Sequence, residues 1–289
     1  MKPTHTLSTR MMQTLNKGKK KLSPQARQQI RQYIESQRTD ALFFRNKSRE
    51  ADLYYTVFGL MLSHIFQVQT DRKKARRELE HCKVNTQDLV YYAACVRSSL
   101  LLDSPGKKLR RQLFPDKNPL PVFQTFPHND SYSPYSRFMW LSLMEDLRQP
   151  IGNKQEILES LNAYKIPGRG YSNHRSGLYA STNATAAALS VKGQLEGYPN
   201  NRDEALEGLY LRQDSTGGFC ANDQTPLPDM LSTATALFVL QCYEVKPRIT
   251  PASFIEAHWL ESGGFSSTLV EGNSDIEYTF YGLLALGTC

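Results

Sequence analysis

The segment Asp275-Ile276-Glu277-Tyr278-Thr279 sets two carboxylates two residues apart at the head of an apolar run. Buried together, such acids hold a proton to unusually high pH, because lost hydration and the neighbour's charge both oppose ionisation. A carboxyl of that kind gives or takes a proton near neutrality. Glu277 and Asp275 are therefore the candidate catalytic pair. The same letters also spell an ordinary helix start, with Asp275 as N-cap and Glu277 in the first turn against the positive end of the dipole. A second signal is cationic. In "FFRNKSREADLYY", Arg45, Lys47 and Arg49 precede Asp52 and Tyr55 follows it; in "GYSNHRSGLYAS", His174 and Arg175 precede Ser181. Cations converging from two loops suit an anionic group.

These residues recur inside a repeat. Asp52, Asp88, Ser133, Ser181, Asp229 and Asp275 each lead a segment whose fourth following residue is 56, 92, 137, 185, 233 or 279, in steps of 36, 45, 48, 48 and 46. Four copies carry Thr there and Leu four residues later; those at 92 and 137 are degenerate. Steps of four and eight share one helix face. Phe265, Phe219 and Tyr171 stand fourteen before their Thr, and Phe123 holds that offset in a degenerate copy. More charged segments alternate with these, at 24–37, 70–81, 105–113, 153–164, 201–212 and 250–261. They read as outer helices.

The inner segments, such as "TATALFVLQC", are apolar all round, which an open solenoid would leave wet. Six hairpins closed into a double ring bury them. The expected fold is all-α, an α6/α6 toroid with a central cavity over residues 24–289, preceded by a basic N-terminal tail at 1–23. Tyr54, Phe58, Tyr91, Trp140, Phe238, Tyr278 and Tyr281 are expected to line the cavity.

Residues 1–150 carry 26 Lys and Arg against 13 Asp and Glu, whereas 151–289 carry 9 against 15. The basic half, with "KGKKK", "RKKARR" and "KKLRR", suits an acidic protein partner or an anionic membrane surface. No nucleic-acid motif accompanies it, so nucleic acid is not an expected partner. The five cysteines are scattered without a CxxC pair, and no secretory leader or spanning segment is evident. The expected location is cytoplasmic, with peripheral membrane contact.

"GGFxxx…PDxxSTxxALxxL" and "GGFSS…DIEYTFYGLLALG" resemble the prenyltransferase/squalene-cyclase repeat, which includes protein prenyltransferase β subunits and class II terpene cyclases. The resemblance implies an α/α toroid that handles isoprenoid chains in an aromatic-lined cavity. Zinc-dependent members hold metal with Asp-x-Cys and a His in the next repeat; here Leu231 and Tyr278 stand at the Cys and His positions. Zinc is not expected. No cofactor is, save Mg2+ accompanying a diphosphate substrate. Class II cyclases protonate substrate with the central Asp of D-x-D-D-T, and Glu277 takes that place. The family's diphosphate-binding pattern maps onto Arg45, Lys47, Arg49, Tyr55, His174 and Arg175. The resemblance thus implies an isoprenoid-processing enzyme, transferase or cyclase, acting on a prenyl diphosphate or polyprene. The alternative is a non-catalytic toroid that binds a lipid or a partner protein.

Overall fold

A computed structural model describes residues 5–82, 88–108, 132–198 and 204–289. Its helices are α1 (Leu7–Lys21), α2 (Pro24–Ser36), α3 (Leu53–Phe66), α4 (Arg72–His81), α5 (Leu89–Leu102), α6 (Pro134–Asp146), α7 (Lys154–Ser160), α8 (Thr182–Glu196), α9 (Glu204–Tyr210), α10 (Met230–Cys242), α11 (Ala252–Ala257) and α12 (Ile276–Thr288). Residues 105–108 are also helical; the rest of the 105–113 segment, and Phe123, lie outside the described residues. A 3-10 turn (Leu161–Tyr164) and three two-residue antiparallel hairpins complete the described elements: β1 (Phe44–Arg45) with β2 (Ala51–Asp52), β3 (Lys165–Ile166) with β4 (Gly170–Tyr171), and β5 (Phe219–Cys220) with β6 (Pro228–Asp229).

Every expected leading residue caps a helix. Asp52, Asp88, Ser133, Ser181, Asp229 and Asp275 each accept a backbone N–H of the first turn, satisfying donors the helix cannot. Apart from α5, which is only partly covered, the helices they open are largely buried, and each packs on the next: α3 on α5, α5 on α6, then α8, α10, α12 and back to α3. The ring is closed. α2, α4, α7, α9 and α11 lie outside it, each packed against an inner helix.

The Thr of the repeat is a lock between each hairpin and its inner helix. Thr56, Thr185 and Thr279 donate to the carbonyl of their own leading residue, a bond that holds the hydroxyl's rotamer. The lone pairs then accept the buried N–H of Phe44 at 3.0 Å, of Tyr171 at 2.9 Å and of Phe265 at 3.4 Å; Thr233 accepts Phe219 N at 2.8 Å. The aromatic ring lands on the helix one turn further on. A Cβ at Gly59 would stand 2.2 Å from the Phe44 ring, and one at Gly282 2.3 Å from the Phe265 ring. The degenerate copy at 137 substitutes a different tie: buried Arg137 reaches outward and donates to Ser160 Oγ of α7 at 2.7 Å.

Residues 7–21 are not a tail. Thr6 caps α1, which runs across the C-terminal ends of the inner helices and closes that end of the ring. Leu7 N donates to Glu145 Oε2, Thr14 Oγ1 to Gln241 Oε1, and Lys19 Nζ to Ile65 O. α1 lies so close to α12 that a Cβ at Gly287 would sit 2.0 Å from Thr14 O. Composition misled here: basic residues dominate the segment, but Leu7 and Leu15 are fully buried. Among the described residues, no helix is long and apolar enough to cross a membrane.

Candidate functional site

With α1 as its floor, the ring encloses a cavity of about 640 Å³ that opens among the N-caps of the inner helices. All six inner helices contribute to its wall. α3 presents Tyr54, Tyr55, Phe58 and Met61; α5 presents Tyr91, Ala94 and Arg97; α6 presents Tyr135, Phe138 and Met139. The opposite arc is smaller: Ala186, Ala187 and Ser190 of α8, Thr235 and Phe238 of α10, then Phe280, Tyr281 and Leu284 of α12. Edge-to-face contacts fix the large rings, with Phe58 at 5.0 Å from both Tyr54 and Phe280.

Of the aromatic residues expected to line the cavity, Tyr54, Phe58, Tyr91, Phe238 and Tyr281 do. Trp140 does not: Tyr135, Phe138 and Met139 take the inward face of α6, and Trp140, on the next step round the helix, is sealed in the protein core. Tyr278 also stands aside; it holds Lys47 over its ring at 5.0 Å. Periodicity of one apolar helix gives no inward direction, because its burial is uniform.

Asp275 and Glu277 part company at the rim. Asp275 is buried, and its Oδ1 accepts Tyr278 N at 2.7 Å, as a cap should. Burial raises its pKa. Glu277 reaches across to α3, where Tyr54 donates to its Oε1 at 2.7 Å. Burial pushes the Glu277 carboxyl up to about 7; the Tyr54 hydrogen bond opposes this and the charge of Asp275 adds to it. Burial likewise raises Tyr54, Tyr135 and Tyr281, so these phenols keep their protons. The result is a carboxyl that titrates near neutrality, bonded to a phenol on the cavity wall.

The six residues matched to the diphosphate pattern do not form one cluster. Lys47 pairs with Glu271 at 3.1 Å, and both are about half exposed. Arg45 turns outward and donates to Ser36 O at 3.2 Å. Arg49 is exposed on the β1–β2 turn in the left-handed region, at φ 65°. Tyr55 lines the cavity. His174 and Arg175 are exposed beside the start of α8, three places round the ring from α3. With neighbouring axes 8–10 Å apart, opposite members of a six-membered ring stand about 16–20 Å apart. The two loops therefore approach the rim from opposite sides of the ring.

Leu231, at the Cys position of zinc-dependent members, forms part of the cavity wall. Among the described residues, no three His, Cys, Asp or Glu side chains are grouped to hold a metal ion. The donor set of those members does not fit here. Cys242 is buried and Cys220 partly so.

A sequence model described as "Prenyltransferase alpha-alpha toroid domain" matches residues 5–95, 128–256 and 184–289. The chain belongs to the prenyltransferase α-α toroid family. The match begins at residue 5 and so takes in the whole of α1, in keeping with a floor helix that is integral to the toroid. No curated protein matches the chain.

Sequence reasoning missed Arg97, Met11, Tyr135 and Asn173 as wall residues. Arg97 lies in a degenerate repeat, and Met11 in the segment expected as a tail.

Proposed function

We propose that this toroid is an isoprenoid-processing enzyme that takes an apolar chain into its central cavity, with Glu277 exchanging a proton at the mouth. The observation that carries this reading is Glu277 itself: a carboxyl raised to about 7 that is not one of the wall residues but is hydrogen-bonded to Tyr54, a wall tyrosine of a mainly apolar, aromatic pocket. A cavity of about 640 Å³ is in the usual range for sites that enclose a ligand of some hundreds of daltons. Its ring faces offer a low-cost environment for developing positive charge. A carboxyl near neutral pKa is matched to removing the proton that ends a carbocation reaction, or to protonating an oxygen function. It is too weak an acid to protonate an isolated alkene unaided. Glu277 thus serves better as acceptor than as initiator, and Tyr54 orients its lone pair.

A diphosphate headgroup, with Mg2+, is supported on one arc only, by Lys47 and the adjoining helix N-termini. The paired state of Lys47 and the split cation set favour a second reading, in which the toroid binds a lipid without turning it over. Product formation from linear prenyl diphosphates and from free polyprenes, wild type against Glu277→Gln, separates them. Turnover in the wild type that falls at least about a hundredfold in Glu277→Gln, with ligand binding retained, supports the enzyme. Binding without turnover in both supports the carrier; equal turnover in both removes Glu277 from the chemistry.

A further inference from the structure

The cavity wall is mainly apolar, with polar groups from Ser133, Asn173, Asn183, Ser190 and Thr235 and two charged side chains, Asp52 near the mouth and Arg97 on the deep wall. Arg97 projects from α5, and its guanidinium is only partly satisfied. Nε donates to Asp146 Oδ2 at 3.0 Å and Nη2 donates to Ser142 Oγ. Nη1 meets only the thioether of Met139, at 3.7 Å, among the described residues. Sulfur is a weak acceptor. The Arg97 side chain is 11% exposed; it lies on the wall of the central cavity, which Met61, Ala94, Phe138 and Met139 also form, and borders a second cavity together with Ser8 and Asp146. A guanidinium carries five N–H donors in a fixed fork, and burying them without acceptors is costly. The unfilled donors therefore define where an acceptor atom of a ligand belongs.

The neighbouring charge says what kind of acceptor. Asp146 already neutralises Arg97, and it is held in place by Ser8 Oγ of the floor helix at 2.9 Å. A second anion would gain Arg97 but face Asp146 at close range. An uncharged oxygen takes the free donors without that repulsion. Resting on the isoprenoid reading above, we propose that the cavity selects a polyprene that carries a hydroxyl or carbonyl oxygen on the end that enters first, with Arg97 as its donor. Glu277 and Arg97 then address the two ends of one ligand: proton exchange at the mouth, recognition at the floor.

The test compares farnesol with farnesene, its hydrocarbon counterpart, by calorimetric titration of the full-length protein. Wild type is expected to bind the alcohol about tenfold or more tightly than the hydrocarbon, the scale of a hydrogen bond to a charged donor. Arg97→Met/Asp146→Asn removes both charges together and keeps an acceptor for Ser8. It is expected to bind the two probes equally. Arg97→Lys keeps the ion pair but loses the fork; it is expected to lose most of the preference and guards against a misfolded double variant. Equal affinity in the wild type, or a preference that survives in both variants, overturns the role of Arg97 while leaving the isoprenoid reading intact. Failure of the wild type to bind either probe overturns both.

Discussion

The pKa of Glu277 makes a stability statement as well as a chemical one. Its folded value, about 7, lies above the ordinary value of 4.5, so the folded state holds the proton more tightly than the unfolded chain does. The associated stability is fully present below about 4.5 and is lost as pH rises through 7. The full shift corresponds to about 3 kcal/mol, and partial solvent access reduces this to about 1–2 kcal/mol at pH 8. Glu277→Gln keeps an acceptor for Tyr54 and abolishes the titration. The expected outcome is that Glu277→Gln melts with the wild type at pH 4.5 and above it at pH 8. A difference in melting temperature that stays constant across that range would show that the carboxyl is not buried as described. Asp275→Ala is expected to behave differently: it removes the cap, at a cost of about 0.5–2 kcal/mol, and takes away the charge that helps to raise Glu277.

At the scale of elements, much of the ring was legible because each repeat writes its own cap and lock. Asp52, Asp229 and Asp275 are short polar residues before apolar runs, and capping chemistry leaves few other choices there. The same letters could not separate the roles of Asp275 and Glu277, since only the neighbouring helix supplies Tyr54. Nor could they reveal that Phe44 performs in the first repeat, at an offset of twelve, what Phe219 does at fourteen; a shorter hairpin alters the spacing and keeps the bond. α1 escaped notice because its buried stripe is narrow and its surface heavily charged. Three predictions belong here. Thr233→Val strands the buried Phe219 N–H and is expected to cost about 1–3 kcal/mol in denaturant melts, with Thr233→Ser largely restoring stability. Thr56→Val should do the same through Phe44, and because α3 and α10 are not neighbours in the ring, the two losses are expected to add. Gly287→Val drives a branched side chain into the Thr14 carbonyl; it is expected to loosen α1 and speed tryptic cleavage in Lys17–Lys21. Unchanged protection of that segment would separate α1 from the floor.

Viewed whole, the molecule is polarised along the ring axis. The floor is basic: Lys19 titrates low because it is buried near Arg27 and Arg31, and His64 because it is buried near Lys108 and Arg72. The mouth carries acidic caps, the exposed cations Lys47, Arg49, His174 and Arg175, and a crown of exposed apolar side chains, Leu178, Tyr179, Leu227, Leu269 and Val270, on the loops that lead into the inner helices. An anionic vesicle held by the floor would be released by salt, whereas contact through the crown would survive it. Co-sedimentation in low and high salt thus reports which end approaches a membrane. The small arc of the cavity offers the strictest test of the architecture. Ala187 is buried on α8 and faces the aromatic arc of α3 across the ring. If the space between them is where a ligand lies, filling it from the small side should exclude the ligand without breaking the ring, since the added atoms enter a void and displace no packed neighbour. Ala187→Phe is expected to fold with near-wild-type melting temperature and to lose binding of farnesol and farnesene alike, by at least about tenfold. Retained affinity for both would place the ligand outside the toroid, whatever the chemistry of Glu277.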